Sequence, residues 1–310
     1  MSRGRSRAGE AASHGDGATT AVVIPSYDCA HLLGEAIASA QAQTRAADEI
    51  IVVDDGSTDD TAAVARRAPG VRYLRQRNAG PSAARNAGLR AARSTFVQFL
   101  DADDVLRPAA IESGLRCARA HPQCAFVAGR HVVVRPGGAA ERPWPAFASD
   151  DMYAELLRLN FVACNNAVLF RRDALLEAGG FDRRLRACED YDLYLRLARR
   201  HPVALHDELV AEYRVRGDSA SSNARRMYAS AMTVLARQRP HVRDDPARAE
   251  ALRAGWRFYH HYYGLPMLDA ALARLRRREG VAGALGDLAA VARHDRGALK
   301  WFLRDRLTRG

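Results

Sequence analysis

The stretch Phe-Val-Gln-Phe-Leu-Asp-Ala-Asp-Asp, residues 96–104, decides how the rest of the sequence is understood. Its first half is an almost continuous apolar run with β-prone residues, which predicts a strand buried on both faces of a parallel sheet. The run stops at three carboxylates, Asp101, Asp103 and Asp104. In open α/β sheets ligands bind at the carboxyl ends of strands, and clustered hard oxygen atoms suit Mg²⁺ or Mn²⁺. We therefore expect a metal–phosphate site here; the alternative is a solvated acidic turn.

Short strands and helices alternate before this stretch. Strands are predicted over 21–27, 49–54 and 71–74, with helical periodicity between them and again over 82–93. This order predicts an α/β fold with a Rossmann-like, mainly parallel sheet flanked by helices. The second strand also ends in acid, at Asp54 and Asp55, whereas the Gly-x-Gly-x-x-Gly turn and the Walker A motif are missing.

The later part of the chain changes character near residue 222. Before that point strands and helices continue to alternate, and Glu189 and Asp190 open a predicted helix, where the helix dipole alone favours acidic side chains. From Asn223 onward only helices are predicted. We expect a disordered tail over 1–18, an α/β domain over 19–222 and a helical C-terminal appendage over 223–310.

Composition narrows the class of protein. The 310-residue chain has a net charge of +11, carried almost wholly by arginine. No nucleic-acid-binding motif accompanies this charge, so nucleic acid is not an expected partner. Five cysteines without a Cys-x-x-Cys pair predict a reducing compartment, and so the cytoplasm. No apolar run approaches the roughly 20 residues of a membrane span, and the N-terminal tail lacks the apolar centre of a signal peptide.

Seven short motifs occur in one order along the chain, and together they resemble glycosyltransferase family 2, inverting enzymes with the GT-A fold. Each motif is weak alone, but the ordered set covers roughly residues 20–222. The motifs are Val-Val-Ile-Pro-Ser-Tyr (22–27), Ile-Val-Val-Asp-Asp-Gly-Ser-Thr-Asp (51–59), Asn-Ala-Gly (78–80), Ala-Arg-Asn-Ala-Gly-Leu (84–89), Phe-Leu-Asp-Ala-Asp-Asp (99–104), Gly-Gly-Phe-Asp (179–182) and Cys-Glu-Asp-Tyr-Asp (188–192).

The resemblance implies a nucleoside-diphosphate sugar as the donor substrate. Pro25 and Tyr27 would line the nucleotide pocket. Asp55 would hydrogen-bond the base, and Arg85 would lie beside the base or the diphosphate. Asp101 would face the ribose and the metal.

The resemblance also implies how the reaction proceeds. Asp103, with Asp101, would ligate Mn²⁺ or Mg²⁺, and Asp190 would be the general base of a single in-line displacement. This sequence departs from the family at Arg216, which stands where a metal-ligating histidine is often found. Because arginine cannot ligate a metal, Arg216 would instead neutralise the diphosphate. The acceptor would be a glycan, a lipid-linked molecule or a small molecule.

Three other classes of protein compete with this interpretation. A haloacid-dehalogenase-type phosphatase also places Asp-x-Asp after an apolar strand, but Lys300, the only lysine, is a poor match for the lysine it needs. A nucleotidyltransferase would need a Gly-rich, Lys-containing loop that is missing here. A non-catalytic sugar-nucleotide-binding or scaffold protein would have no need for Asp103 and Asp190.

The C-terminal helices interleave basic and apolar residues, as in Arg274 to Arg278 and around Trp301 and Phe302. Such a pattern fits a helix lying among anionic lipid headgroups at the inner face of the plasma membrane. The alternative is that these aromatic residues pack against the catalytic domain.

Overall fold

Four parallel strands build the half of the sheet that carries the acidic strand ends. In the computed structural model, β1 (Thr20–Ser26) pairs with β2 (Glu49–Asp54) and β4 (Phe96–Phe99), and β3 (Val71–Arg75) lies outside β2. Every residue of β1 is buried, because helices cover both faces of the sheet. The structure describes residues 17–135, 137–141, 145, 147, 149–215 and 223–294.

The rest of the sheet is mixed in direction. Its strands are β5 (Val105–Leu106), β6 (Phe126–Arg135), β7 (Gly138–Glu141), β8 (Val168–Arg171) and β9 (Val203–Arg214). The order across the described strands is β3-β2-β1-β4-β8-β6-β9-β5, and β7 pairs with β6 beside this path. β8 runs antiparallel to both β4 and β6, whereas β6 and β9 are parallel. The predicted α/β fold is confirmed, with its parallel part at the N-terminal end.

Helices connect the strands and cover the sheet. They are α1 (Ala30–Gln41), α2 (Thr61–Arg67), α3 (Pro81–Ala91), α4 (Ala110–Ala120), α5 (Met152–Arg158), α6 (Arg172–Glu177) and α7 (Glu189–Ala198). Two of them determine the site described below. Helix α3 follows the third strand and packs on β1, and α7 brings the Glu189–Asp190 pair to the same edge of the sheet.

The C-terminal region is helical, as expected. It contains α8 (Ala224–Val242), α9 (Pro246–Tyr259), a π-helical turn (His260–Gly264), α10 (Leu265–Arg277) and α11 (Val281–His294). Tyr228, Met232 and Leu235 of α8 are fully buried, in the same apolar cluster as Phe99 and Phe126 of the sheet. These helices therefore share the hydrophobic core of the α/β part.

Both ends of the chain fall outside the described residues. Residues 1–16 of the predicted tail and residues 295–310, which include Trp301 and Phe302, are not among those described. Within the described ranges, no helix combines the length and the apolar character needed to cross a bilayer.

Candidate functional site

The carboxyl ends of β1, β2 and β4 open into a cleft of about 590 Å³. The first turns of α3, α7 and α8 complete its walls. Seven of the residues predicted from the sequence line this cleft: Pro25, Tyr27, Asp55, Arg85, Asp101, Asp103 and Asp190. Arg216, the eighth, lies outside the described residues. Positions more than 160 residues apart in the chain thus meet at one sheet edge.

Arg85 joins the acidic end of β4 to the acidic start of α7. Its Nη2 donates to Asp101 Oδ1 at 2.7 Å and its Nη1 donates to Glu189 Oε1 at 2.8 Å. The guanidinium is buried and lies 5.4 Å from the ring centroid of Phe181. Burial alone would lower the pKa of Arg85, but Asp101 and Glu189 outweigh it and raise the pKa. Arg85 therefore stays charged and fixes two carboxylates at the cleft.

The sequence around Arg85 explains why α3 lies in this place. A Cβ added at Gly88 would lie 2.2 Å from Val23 Cγ1, so only glycine allows the helix to approach β1 this closely. Asn86 forms two hydrogen bonds of 2.8 Å with the backbone of Phe181, one as donor and one as acceptor. The Ala-Arg-Asn-Ala-Gly motif thus serves mainly to anchor α3, so that Arg85 points into the site.

Asp190 occupies the first turn of α7 and faces the cleft. Burial, followed by the neighbouring charge of Glu189, raises the pKa of Asp190 from its ordinary value of 3.8 to about 7. Arg85 acts in the opposite direction but does not cancel these two effects. A carboxylate with a pKa near neutrality, within a cleft, is suited to accept a proton during a reaction.

The three carboxylates after β4 do not share one role. Asp101 and Asp103 line the cleft, whereas Asp104 is buried and accepts hydrogen bonds from Asn166 Nδ2 at 2.9 Å and from the Arg214 backbone N–H at 2.7 Å. Burial, followed by the charge of Asp101, raises the pKa of Asp104 well above its usual range. Asp104 therefore holds β9 beside the strand end rather than facing a ligand.

Asp101 and Asp103 provide the donor atoms that a hard divalent cation prefers. Among the described residues, no group of three or more His, Cys, Asp or Glu side chains could hold a metal by itself. This donor set fits Mg²⁺ or Mn²⁺ in sites where one or two carboxylates act together with substrate phosphates and water. The two residues present therefore fit a cation that binds together with a diphosphate.

The opposite end of the cleft is formed by the loops after β1 and β2. Tyr27 is 52% exposed and presents an open aromatic face. Asp55 is buried, and its carboxylate accepts hydrogen bonds from the backbone N–H groups of Ala79 and Gly80 and from Gln76. Asp55 thus shapes the Asn-Ala-Gly turn of the cleft, a structural task in addition to the predicted contact with a base.

Four charged residues of the cleft are absent from the predicted site: Asp28, Arg186, Glu189 and Arg214. Glu189 was visible in the sequence as a helix-start charge, but its ion pair with Arg85 depends on tertiary structure. Arg214 forms a two-point ion pair with Glu35 of α1, at 2.6 and 2.7 Å. No sequence motif signals such a pair between residues so distant in the chain.

Comparisons with known proteins agree with this geometry. The model of "Glycosyl transferase family 2" matches residues 21–179, about half of the chain, and that of "Glycosyltransferase like family 2" matches residues 144–238. Chondroitin synthase of Escherichia coli is 27% identical over 208 residues, covering 64% of this chain and 29% of the relative. Succinoglycan biosynthesis protein ExoU of Rhizobium meliloti is 32% identical over 250 residues, covering 70% of each chain. The chain thus spans about a third of the length of the first relative.

Two solved structures share the fold. Staphylococcus aureus TarS (residues 1–349), crystallised with UDP-GlcNAc, superposes with a TM-score of 0.64 at 18% identity, covering 79% of this chain and 73% of TarS. Mannosyltransferase PcManGT from Pyrobaculum calidifontis, in complex with GDP-Man and Mn²⁺, gives a TM-score of 0.60 at 20% identity, covering 93% of this chain and 79% of PcManGT. The predicted GT-A fold is confirmed, and the chain belongs to glycosyl transferase family 2.

Proposed function

We propose that this protein is an inverting glycosyltransferase that moves a sugar from a nucleoside-diphosphate sugar to an acceptor hydroxyl. The observation that carries the proposal is one cleft that is lined by Asp101 and Asp103, which follow a buried strand, and by Asp190, with a pKa of about 7. Arg85 links the two parts by bonding to Asp101 and to Glu189, the neighbour of Asp190. Relatives named for chondroitin and succinoglycan synthesis support a role in making a polysaccharide, glycolipid or glycoconjugate.

Asp190 acts as the general base. Its carboxylate takes the proton of the acceptor hydroxyl while the hydroxyl oxygen attacks the anomeric carbon of the donor sugar. The bond from that carbon to the diphosphate oxygen breaks, and its electron pair leaves with the nucleoside diphosphate. One base is sufficient because no glycosyl-enzyme intermediate forms. Attack from the face opposite the leaving group inverts the anomeric configuration.

Asp103 and Asp101 would hold Mn²⁺ or Mg²⁺ at the diphosphate. When bound, the cation offsets the negative charge that develops on the leaving group. Arg85 holds Asp101 in place through its 2.7 Å hydrogen bond, so the position of this carboxylate does not depend on the ligand. Pro25, Tyr27 and Asp55 would form the nucleotide end of the cleft, with Arg216 as a further cation near the diphosphate.

The donor is a nucleoside-diphosphate sugar. TarS and PcManGT are described in complex with UDP-GlcNAc and GDP-Man, and PcManGT also with Mn²⁺. These complexes support the class of donor and the use of a divalent cation here. The family match argues against a haloacid-dehalogenase-type phosphatase, whose Asp-x-Asp serves different chemistry.

We place the reaction in the cytoplasm, with peripheral contact at the inner face of the plasma membrane where a lipid-linked acceptor would be presented. The basic residues near Arg274 to Arg278 support membrane contact, because Arg276 and Arg277 at the end of α10 are exposed. Trp301 and Phe302, the other half of the pattern, lie outside the described residues.

The test is a panel of UDP-, GDP- and dTDP-sugars, with release of nucleoside diphosphate measured in the presence of Mn²⁺ or Mg²⁺. Wild-type protein is expected to turn over at least one donor, and Asp190→Asn is expected to bind the same nucleoside diphosphate without turnover. Tight binding of a nucleotide sugar without turnover by wild type, across a panel of acceptors, would instead favour the non-catalytic binding protein.

A further inference from the structure

A second cavity of about 580 Å³ lies between the turn at residues 179–184, α7 and α8. We call it the basic cavity. It shares no lining residue with the donor cleft. Five arginines and one histidine line it, against two carboxylates. The basic residues are Arg183, Arg184, Arg196, Arg199, Arg237 and His241, and the acidic ones are Asp182 and Asp192.

Both carboxylates already have arginine partners. Asp192, which is buried, accepts from Arg196 Nε at 2.7 Å and from Arg237 Nη1 at 3.0 Å. Asp182 accepts from the same Arg237 atom at 3.0 Å and from Arg184 Nη2 at 2.9 Å. Three of the five guanidinium groups are thus held by these two carboxylates. Among the described residues, no further carboxylate lines the cavity to neutralise the other two guanidinium groups.

Two arginines, Arg183 and Arg199, carry the remaining positive charge. Arg183 is exposed, and neither Arg183 nor Arg199 pairs with a carboxylate in the part of the chain that the structure describes. Arg199 interacts with the Tyr153 hydroxyl, which is neutral. Burial, followed by Arg199 and Arg200, lowers the pKa of His241. Arg199 thus lies close enough to His241 to disfavour a second positive charge there.

The basic cavity lies on a different side of α7 from the donor cleft. Asp190 and Asp192 are two positions apart, which is roughly 200° around a helix of 3.6 residues per turn. Asp190 accordingly faces the cleft, whereas Asp192 faces the basic cavity. A ligand held in the basic cavity would therefore not compete with the nucleotide sugar for space.

We infer that the basic cavity binds a phosphate group. Planar guanidinium groups match phosphate oxygens at two points, and a concave site with an excess of positive charge attracts such an anion. Arg183 provides an exposed guanidinium group, and Arg199 provides one that is shared with the neutral Tyr153 hydroxyl, while Arg196 and Arg237 are held by Asp192. The phosphate is borne either by a phosphorylated glycan or metabolite, or by a phospholipid headgroup.

Calorimetric titration with inorganic phosphate, at constant ionic strength and with the donor cleft saturated by a nucleoside diphosphate, tests the inference. Wild type is expected to bind phosphate, and Arg183→Ala/Arg199→Ala is expected to weaken binding at least tenfold. Arg67→Ala/Arg90→Ala is the matched control, because it removes two exposed arginines from other helices and the same amount of charge. Thermal unfolding in chloride verifies folding, and Arg183→Gln/Arg199→Gln replaces the first variant if it is unstable.

A second measurement distinguishes the two sources of phosphate. Co-sedimentation with phosphatidylglycerol vesicles, compared with phosphatidylcholine vesicles, is expected to decrease in the Arg183/Arg199 variant only if the cavity takes a lipid headgroup. Vesicle binding that is equal in both proteins, with phosphate binding lost in the variant, identifies a soluble phosphate as the ligand. Phosphate binding that is absent from wild type, or equal in wild type and the Arg183/Arg199 variant, overturns the inference.

Discussion

At the scale of single residues, Asp190 carries the sharpest prediction. If it is the general base, Asp190→Asn should lower kcat by about 10²- to 10⁴-fold, the usual contribution of such a group. Affinity for the nucleoside diphosphate should stay the same, because the substitution does not alter the nucleotide end of the cleft. In wild type, activity should fall as the pH drops below about 7, where the Asp190 carboxylate becomes protonated. A kcat of Asp190→Asn within threefold of wild type would contradict this role.

The raised pKa of Asp190 also predicts that its ionised form destabilises the folded protein. Its pKa is 3.8 ordinarily and about 7 in the fold, so between these values the folded state holds a proton that the unfolded chain has lost. The contribution of Asp190 to the free energy of unfolding is therefore present at low pH and lost as the pH rises through 7.

Asp190→Asn removes this titration. Its melting temperature should exceed that of wild type by more at pH 8 than at pH 5, in parallel thermal unfolding. A difference that is independent of pH would mean that Asp190 has a normal pKa.

Asp103 and Asp104 are adjacent in the chain but should respond differently to substitution. Asp103→Asn is expected to abolish Mn²⁺ binding in the presence of nucleoside diphosphate and to lower stability less than Asp104→Ala does, because Asp103 is only half-buried. Asp104→Ala leaves the buried Asn166 amide and Arg214 N–H without their acceptor, at about 1–3 kcal/mol for each group. Electron paramagnetic resonance of Mn²⁺ and denaturant unfolding measure the two effects. The assignment fails if the two variants lose metal binding equally.

At the scale of secondary-structure elements, the sequence predicted individual strands and helices but not which strands pair with each other. The buried run before Asp101 predicted β4, and the motif order placed seven of the site residues in one cleft. The antiparallel partner β8 could not be foreseen, since apolar strands look alike whichever neighbour they bind. Residues 165–167, directly before β8, form a 3₁₀ turn in which Asn166 accepts from Gln98 through its backbone and donates to Asp104 through its side chain.

Helix α3 gives a test of how tightly the site depends on packing. Gly88→Ala would bring a Cβ to 2.2 Å from Val23 Cγ1. Such overpacking costs typically about 1–3 kcal/mol, which outweighs the gain of up to about 1 kcal/mol from replacing glycine in a helix. Because α3 carries Arg85, turnover should fall as well.

Gly34→Ala on α1 is the control. Its added Cβ would meet only Val64, at 3.9 Å, so this variant should gain stability from helix propensity alone. Denaturant unfolding compares the two variants. If Gly88→Ala were as stable as Gly34→Ala, the close contact between α3 and β1 would not constrain the site.

At the scale of the whole molecule, the C-terminal helices and the α/β part share one hydrophobic core. A Cβ at Gly255 of α9 would lie 1.9 Å from the carbonyl oxygen of Leu157 in α5, so the two helices are in backbone contact. Arg237 of α8 also bridges Asp182 and Asp192 in the α/β part, at 3.0 Å each. The predicted boundary near residue 222 therefore separates two kinds of secondary structure that are packed together.

We expect the two parts to unfold in one cooperative transition. Leu235→Ala in α8 empties space in the shared core, and Leu-to-Ala changes at such sites cost about 2–5 kcal/mol. The single transition should move to lower temperature as a whole, and the temperature at which nucleoside-diphosphate binding is lost should move with it. Leu285→Ala in α11 is the matched control, because Leu285 is 54% exposed and should change little. Two separate calorimetric transitions, with only one of them shifted by Leu235→Ala, would show instead that the helical region folds as an independent domain.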